Sequence, residues 1–412
     1  MKNLLTAFIL VAILWSLPTG FLNAKEDVLQ YIQQQINILK AQVAELEIKI
    51  AQLMKQTRGE TSLPKEITTL TPTPTPTPTP KAQPETPATL PSPAIIASLS
   101  DPTLLQTPND VVVANGYAYV ASTNAHRVTI VDVSDPKIPK IAGTIADAVY
   151  LQTPRSLFLA QPYLYVAATN ANRLTILNIS NPNSPSLTGT IFDNEKLTSA
   201  RSVYVWGTYA YIAASGGDRL TVVDVSNPAL PTIAGSVQNT KLGGASSVYV
   251  SGLYAYVAAP SDNRLTIVDI SNPKTPFIVG SLTDLSNLEK IESVVVSGNY
   301  AYAVSPPKDR LTIVDISNPQ KPAIVSSLQS SKLDDAVDVV LQGTYAYVAA
   351  RTPDLFTVVD ITYAQAPAIH ATLADGVRLQ NSRAVFAAGN YAYIAAPTSN
   401  RLTIIDLFSS SP

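Results

Sequence analysis

Asn109, Asp110, Arg155, Arg201, Glu292, Asp338 and Arg383 stand at or beside one position of a pattern that returns every 45 or 46 residues. Guanidinium forks pair with carboxylates or phosphates, and carboxylates accept from hydroxyls and amides, so a mixed-charge collar of this kind suits ligand binding through ion pairs and hydrogen bonds. Catalytic signatures are scarce by comparison. The two histidines, His126 and His370, fall at different repeat positions and do not make a two-histidine metal site. No nucleophile elbow with an ordered Ser, His and Asp occurs, nor a Gly-rich phosphate loop or dinucleotide fingerprint. The adjacent Asp334 and Asp335 read as loop carboxylates, while carboxylates facing one another across a central channel stay open as an acid/base pair. The absence of cysteine excludes disulfides, thiolate catalysis, Cys-ligated metals and a lipid-modified N-terminal Cys. A net charge of −2 over 412 residues gives no footprint for nucleic acid. No cofactor or metal is implied.

The elements that must position these residues come from seven repeats. Tyr-x-Tyr pairs begin at Tyr117, Tyr163, Tyr209, Tyr254, Tyr300, Tyr345 and Tyr391, and each is followed by a Leu-Thr-Ile-Val-Asp-like run such as 220–224 or 265–269. Gly, Asn and Pro divide each repeat into four short β-rich runs, which predicts an all-β, seven-bladed β-propeller of four-stranded blades. Within YAYIAA the tyrosines alternate with alanines, so a bulky face packs against a small one. The Pro-led fourth strand recurs six times after the Asp runs, but the last repeat stops at Leu407 without one. A matching PAIIASL lies at 93–99, so this N-terminal strand is expected to complete the last blade and close the ring.

Several repeated residues read as framework. Asp132, Asp224, Asp269, Asp315, Asp360 and Asp406, with Asn178 in the second repeat, end their strands before turns and are expected to accept local backbone N–H groups rather than calcium. Arg127, Arg173, Arg219, Arg264, Arg310 and Arg401 suggest a polar contact from blade to blade. The Tyr pairs read as packing rather than as a sugar platform. Leu105, Leu151, Leu197, Leu242, Leu288, Leu333 and Leu379 each stand twelve residues before a Tyr pair. They either pin the interblade loops or form a docking ring. The second-to-third connections vary, as in 122–126 against 214–218, and share a face with the interblade loops, which marks that face as the binding side.

Ahead of the propeller the chain changes character. Residues 1–24 read as a secretory signal cleaved after Ala24, with an uncleaved membrane anchor as the rival reading. Residues 25–58 carry Leu29, Ile36, Val43 and Ile50 at one heptad position and Ile32, Leu39, Leu46 and Leu53 at the other. That narrow seam predicts a coiled-coil helix, dimeric or trimeric. Residues 59–92 form a Thr/Pro-rich linker of extended polyproline type. The propeller then spans 93–408 and a short tail 409–412.

The runs LTIVDISNP 265–273 and 311–319, with RLTVVDVSNP 219–228 and SVYVSGLYAYVAA 247–259, resemble the LVIVD-repeat proteins of bacterial and archaeal cell surfaces. The resemblance covers all seven repeats. It implies an exported or surface-attached propeller and brings no catalytic residues. The expected function is a non-catalytic scaffold or adhesion module that binds an envelope or surface protein or glycan and self-associates through its stalk. Contact with membrane is expected only if the N-terminal segment stays uncleaved. The alternatives are a hydrolase or lyase with its site at the channel mouth, and a structural component of the cell-surface layer.

Overall fold

The computed structural model describes residues 93–409. The signal, the coiled-coil helix, the linker and the tail beyond Ser409 lie outside the described residues. Seven four-stranded antiparallel sheets account for the rest, and in six of them the strands follow in sequence order. Blade 1, for example, runs Pro108–Ala114, Tyr117–Ser122, Arg127–Asp132 and Lys140–Ala146 from the inside out. The other innermost strands are Pro154–Ala160, Ala200–Trp206, Ser247–Ser251, Ser293–Ser297, Ala336–Gln342 and Ala384–Ala388. In the seventh sheet, Ala94–Ser100 lies antiparallel to Arg401–Asp406, with Ile95 opposite Ile405 and Leu99 opposite Leu402.

The core is not one mass but seven wedges, each shared by two neighbouring blades. One holds Tyr211, Ala213, Leu220 and Val222 of blade 3 against Val248, Val250, Ala255 and Val257 of blade 4. The wedge between blades 7 and 1 has the same composition, with Tyr393, Ala395 and Leu402 against Val111, Ala118 and Val120. The second tyrosine of each pair is buried and the first is half-buried. The alternation of Tyr and Ala along the second strand therefore packs a large residue into one wedge and a small one into the next.

All seven recurring leucines are buried, none more than 1% exposed. Each caps a wedge, as Leu151 does among Ile130, Leu157 and Val166. They pin the loops and leave no leucine ring for docking. The carbonyl just before each leucine accepts the hydroxyl of the Thr in the following Leu-Thr run, from Thr129 to Leu104 through Thr312 to Asn287 (2.8 Å) to Thr403 and Arg378. One buried Leu and one buried Thr thus fasten every interblade loop.

The repeated arginines reach the outer strand of their own blade rather than the body of the next, which corrects the expected blade-to-blade contact. Arg219 and Arg310 also touch the loop from the preceding blade, at Glu195 (3.0 Å) and Asn287 (3.2 Å). Arg127 donates to Thr144 at 2.9 Å, Arg264 to Ser281 at 2.8 Å and Arg310 to Ser327 at 3.1 Å, each on the outer strand of its own blade. The strand-ending Asp residues do hold their turns: Asp132 accepts from the N–H and hydroxyl of Ser134, and Asn178 from the N–H of Ser180. These turns also reach the neighbouring blade. A Cβ on Gly280 would stand 2.0 Å from the Pro319 carbonyl oxygen, so the outer strand must be bare where the next turn docks. The Asn-Pro pair is missing from the next turn round the ring, and there Ser326 replaces the glycine and donates to the Ala364 carbonyl at 2.6 Å.

Candidate functional site

Two adjacent positions on the innermost strands build the channel mouth. The first is occupied, blade by blade, by Asn109, Arg155, Arg201, Ser246, Glu292, Val337 and Arg383. In blades 1, 2, 3 and 6 it is a bulge, skipped by the strand register. In blades 4, 5 and 7 it stands just before the strand, its N–H given to Ala258, Val304 or Ala395. A bulged residue is freed from the regular alternation and its side chain is re-aimed, here toward the axis.

The second position is Asp110, Ser156, Ser202, Ser247, Ser293, Asp338 and Ala384. Here the side chains sew one blade to the next. Asp110 accepts the N–H of Leu157 at 2.7 Å, Ser156 that of Val203 at 3.3 Å, Ser202 that of Val248 at 3.2 Å and Ser247 that of Val294 at 3.3 Å. Asp338 accepts the N–H of Val385 at 3.0 Å and the hydroxyl of Ser293 at 2.9 Å. Ala384 has nothing to offer, and Asp110 supplies the missing acceptor by taking its neighbour Val111 N–H at 2.8 Å.

All seven residues expected in the collar line a single cavity of about 120 Å³, together with Ser156, Ser202, Ser246, Ser247, Ser293 and Arg351. The geometry divides them. Asp110 and Asp338 are turned to the main chain and act as framework. Burial pushes the Asp110 carboxyl up to about 7 against the pull of its backbone hydrogen bonds, with the charge of Asp338 adding to the rise. Burial likewise pushes Asp338 up to about 6. Asn109 donates to the Arg155 carbonyl at 2.7 Å and so steadies the neighbouring bulge.

The guanidiniums are the groups left facing the cavity. Arg201 pairs with Glu292 at 3.1 Å, linking blades 3 and 5. Arg351 holds Asp335 in a two-pronged pair at 2.8 and 2.6 Å. Among the described residues the Arg155 and Arg383 side chains have no hydrogen-bond or ion-pair partner, and their nitrogens are reachable from the cavity. Burial, then the positive charges of Arg201 and Arg383, pull Arg155 down to about 9, with Glu292 opposing. Arg383 is lowered by burial first and by Arg351 next. An arginine does not shed its proton in a protein, so these shifts express the cost of burying cations beside other cations.

Arg351 and Asp335 were not among the residues expected from the sequence. Their signal was positional: Thr123, Thr169, Ser215, Pro260, Pro306 and Pro397 fill the place of Arg351 in the other repeats. The loops around the mouth vary in sequence but share a left-handed residue, from His126 to Asn400, with φ between 47° and 60°. The Nδ1 of His126 accepts the Thr153 N–H at 3.1 Å, as the side chains of Asn172, Asp218 and Asn263 do from their own interblade loops. His126 is thus a turn residue. His370 lies on an outer strand against Tyr345, ring centroids 5.1 Å apart. Among the described residues no group of three or more His, Asp or Glu is gathered as metal ligands would be.

The LVIVD repeat matches this chain over residues 108–147, 155–193, 198–239, 242–284, 290–330, 334–368 and 381–412. No curated protein matches it in sequence. Among solved structures it is similar to hydrazine synthase of Kuenenia stuttgartiensis, at 16% identity and a TM-score of 0.59, over 72% of this chain and 95% of that one. It is also similar to the periplasmic gluconolactonase of Pseudomonas aeruginosa, at 14% identity and a TM-score of 0.55, over 65% of this chain and 84% of that one. Virginiamycin B lyase from Staphylococcus aureus aligns at 6% identity and a TM-score of 0.60, over 76% of this chain and 98% of that one. At such identities the likeness is one of fold.

Proposed function

Because the chain belongs to the LVIVD-repeat family, in which the repeated motif is itself the blade framework, we propose that it is an exported, non-catalytic binding scaffold whose channel mouth holds an acidic group of an envelope protein or glycan. The observation that carries this reading is the pair Arg155 and Arg383, cationic, partly buried and without partners at the cavity wall. A stalk that self-associates as a dimer or trimer would add avidity, since joined sites raise the effective concentration of the second contact. Export rests on the N-terminal signal, and attachment to a membrane on its remaining uncleaved.

The lactonase and lyase among the similar folds keep a hydrolytic or eliminating propeller as the second reading. Such chemistry needs a general acid or base free to exchange a proton at the mouth. Asp110 and Asp338, the carboxylates whose protons leave near neutrality, are engaged by main-chain N–H groups instead. A component of a cell-surface layer is the third reading, recognised by ordered self-assembly without another ligand.

The test is retention of anionic and neutral glycans and of solubilised envelope proteins on the immobilised full chain, with Arg155→Ala/Arg383→Ala beside it. Selective retention of acidic ligands, lost in the double variant, is the expected result. Equal retention by both proteins, or turnover of a lactone substrate, would overturn the reading.

A further inference from the structure

The charge balance of the mouth narrows the ligand, an inference that rests on the acidic-ligand reading above. Of four guanidiniums at the cavity, Arg201 is balanced by Glu292 and Arg351 by Asp335. Arg155 and Arg383 remain. Asp110 and Asp338 also line the cavity and are anionic above about pH 7, but their oxygens are taken by backbone N–H groups and the Ser293 hydroxyl, so neither is paired with a guanidinium. Arg155 and Arg383 are therefore the two guanidiniums at the cavity with no carboxylate directed at them.

The size of the cavity sets the second limit. Pockets that enclose a whole organic ligand run to about 300–1,000 Å³. A volume of about 120 Å³ admits one compact group, with the body of the ligand left outside the mouth. The group must be small and rich enough in acceptors to pair with both guanidiniums at once. A carboxylate or a sulfate ester brings one negative charge and leaves one guanidinium uncompensated. A phosphate monoester brings close to two at pH 7.5, its second ionisation lying near pH 6, and its three terminal oxygens suit donors converging from several blades.

We infer that the mouth of the channel is a binding site for a phosphate-monoester group, held between Arg155 and Arg383. Arg201 and Arg351 flank it, each kept in place by its own carboxylate. This differs from the glycine-rich loops whose backbone N–H groups cradle phosphate: here the donors are side chains standing on bulges of innermost strands.

The experiment is calorimetric titration of the full chain at pH 7.5 and low salt with glycerol 1-phosphate, inorganic phosphate, acetate and glucuronate. Both phosphates should bind one to one, with acetate and glucuronate at least tenfold weaker. Arg155→Gln and Arg383→Gln should each weaken phosphate binding at least tenfold, and Arg155→Lys less, with melting temperatures checked to show that each variant is folded. Cosedimentation with vesicles containing phosphatidic acid, against phosphatidylcholine alone, separates a lipid-borne phosphate from a soluble one, and either source supports the inference. Glucuronate binding through the two arginines at equal or higher affinity than phosphate would overturn the phosphate assignment and leave the acidic-ligand reading standing. Phosphate binding unchanged in both Gln variants, or anion binding absent altogether, would overturn both.

Discussion

Asp110 accepts the backbone N–H of Leu157 at 2.7 Å, so a carboxylate on the innermost strand of one blade is part of the seam to the next. Four blades use serine at the equivalent position. The carboxyl of Asp110, raised to about 7, keeps its proton in the folded state where the unfolded chain has already released it. Between about pH 4 and pH 7 the folded state therefore holds more protons, and stability falls as pH rises through that window, flattening above it. Asp338, raised to about 6, contributes in the same direction over the lower part of the window. Asp110→Ser keeps an acceptor for Leu157 and removes the charge. Denaturant midpoints measured from pH 4 to 8 should fall less steeply in the variant than in the parent, and parallel curves would exclude this account.

Gly280→Ala should lower stability by about 1–3 kcal/mol, because a methyl group has no room beside the Pro319 carbonyl. Ser326→Gly, at the matching position of the following outer strand, should cost about 0.5–1.5 kcal/mol through loss of the hydrogen bond to Ala364. Thermal unfolding of both variants checks the pair, and a larger loss at Ser326 than at Gly280 would contradict the steric argument.

Leu288→Ala removes a fully buried plug from the wedge between blades 4 and 5 and should cost about 2–5 kcal/mol. Leu285, three residues earlier and 65% exposed, should tolerate the same change within about 0.5 kcal/mol. Chemical denaturation separates the two. Similar losses would mean that the loop is not fastened through Leu288.

If the heptad seam of residues 25–58 drives association, light scattering on residues 25–412 should return a dimer or trimer and on residues 93–412 a monomer. Equal masses per chain from both would remove the stalk from the proposed function.

Much of the propeller was legible because repetition turns a weak local pattern into a register. Seven Tyr pairs and seven Leu-Thr runs established the number of blades, and PAIIASL at 93–99 resembled the outer strands closely enough to suggest a place for it before any pairing was known. The same register gathered Arg155, Arg201, Glu292 and Arg383 at one level of the ring. Repetition did not separate position 109 from position 110. That division depends on a bulge, and a bulge alters the side-chain direction without altering the spacing of the repeats. Asp110 and Asp338 thus looked like their neighbours in the collar, although the serines aligned with them were the sign of a small acceptor bound to backbone. Arg351 was hidden for the opposite reason, since it belongs to a loop and appears in a single repeat. The main contact of the repeated arginines was misjudged because a fixed repeat position does not say which neighbour a long side chain reaches. The readings of the signal, stalk and linker concern residues outside those described.

The bulges at the mouth have a consequence for how this architecture changes over time. In four blades the axis-facing residue takes part in no cross-strand pair, and in the other three it precedes the strand. Exchanging such a side chain leaves the Leu plug, the Thr tether and the seam beside it intact. Each blade therefore offers one replaceable slot, and a propeller grown by duplication of a single unit can diversify what it recognises while its scaffold stands still.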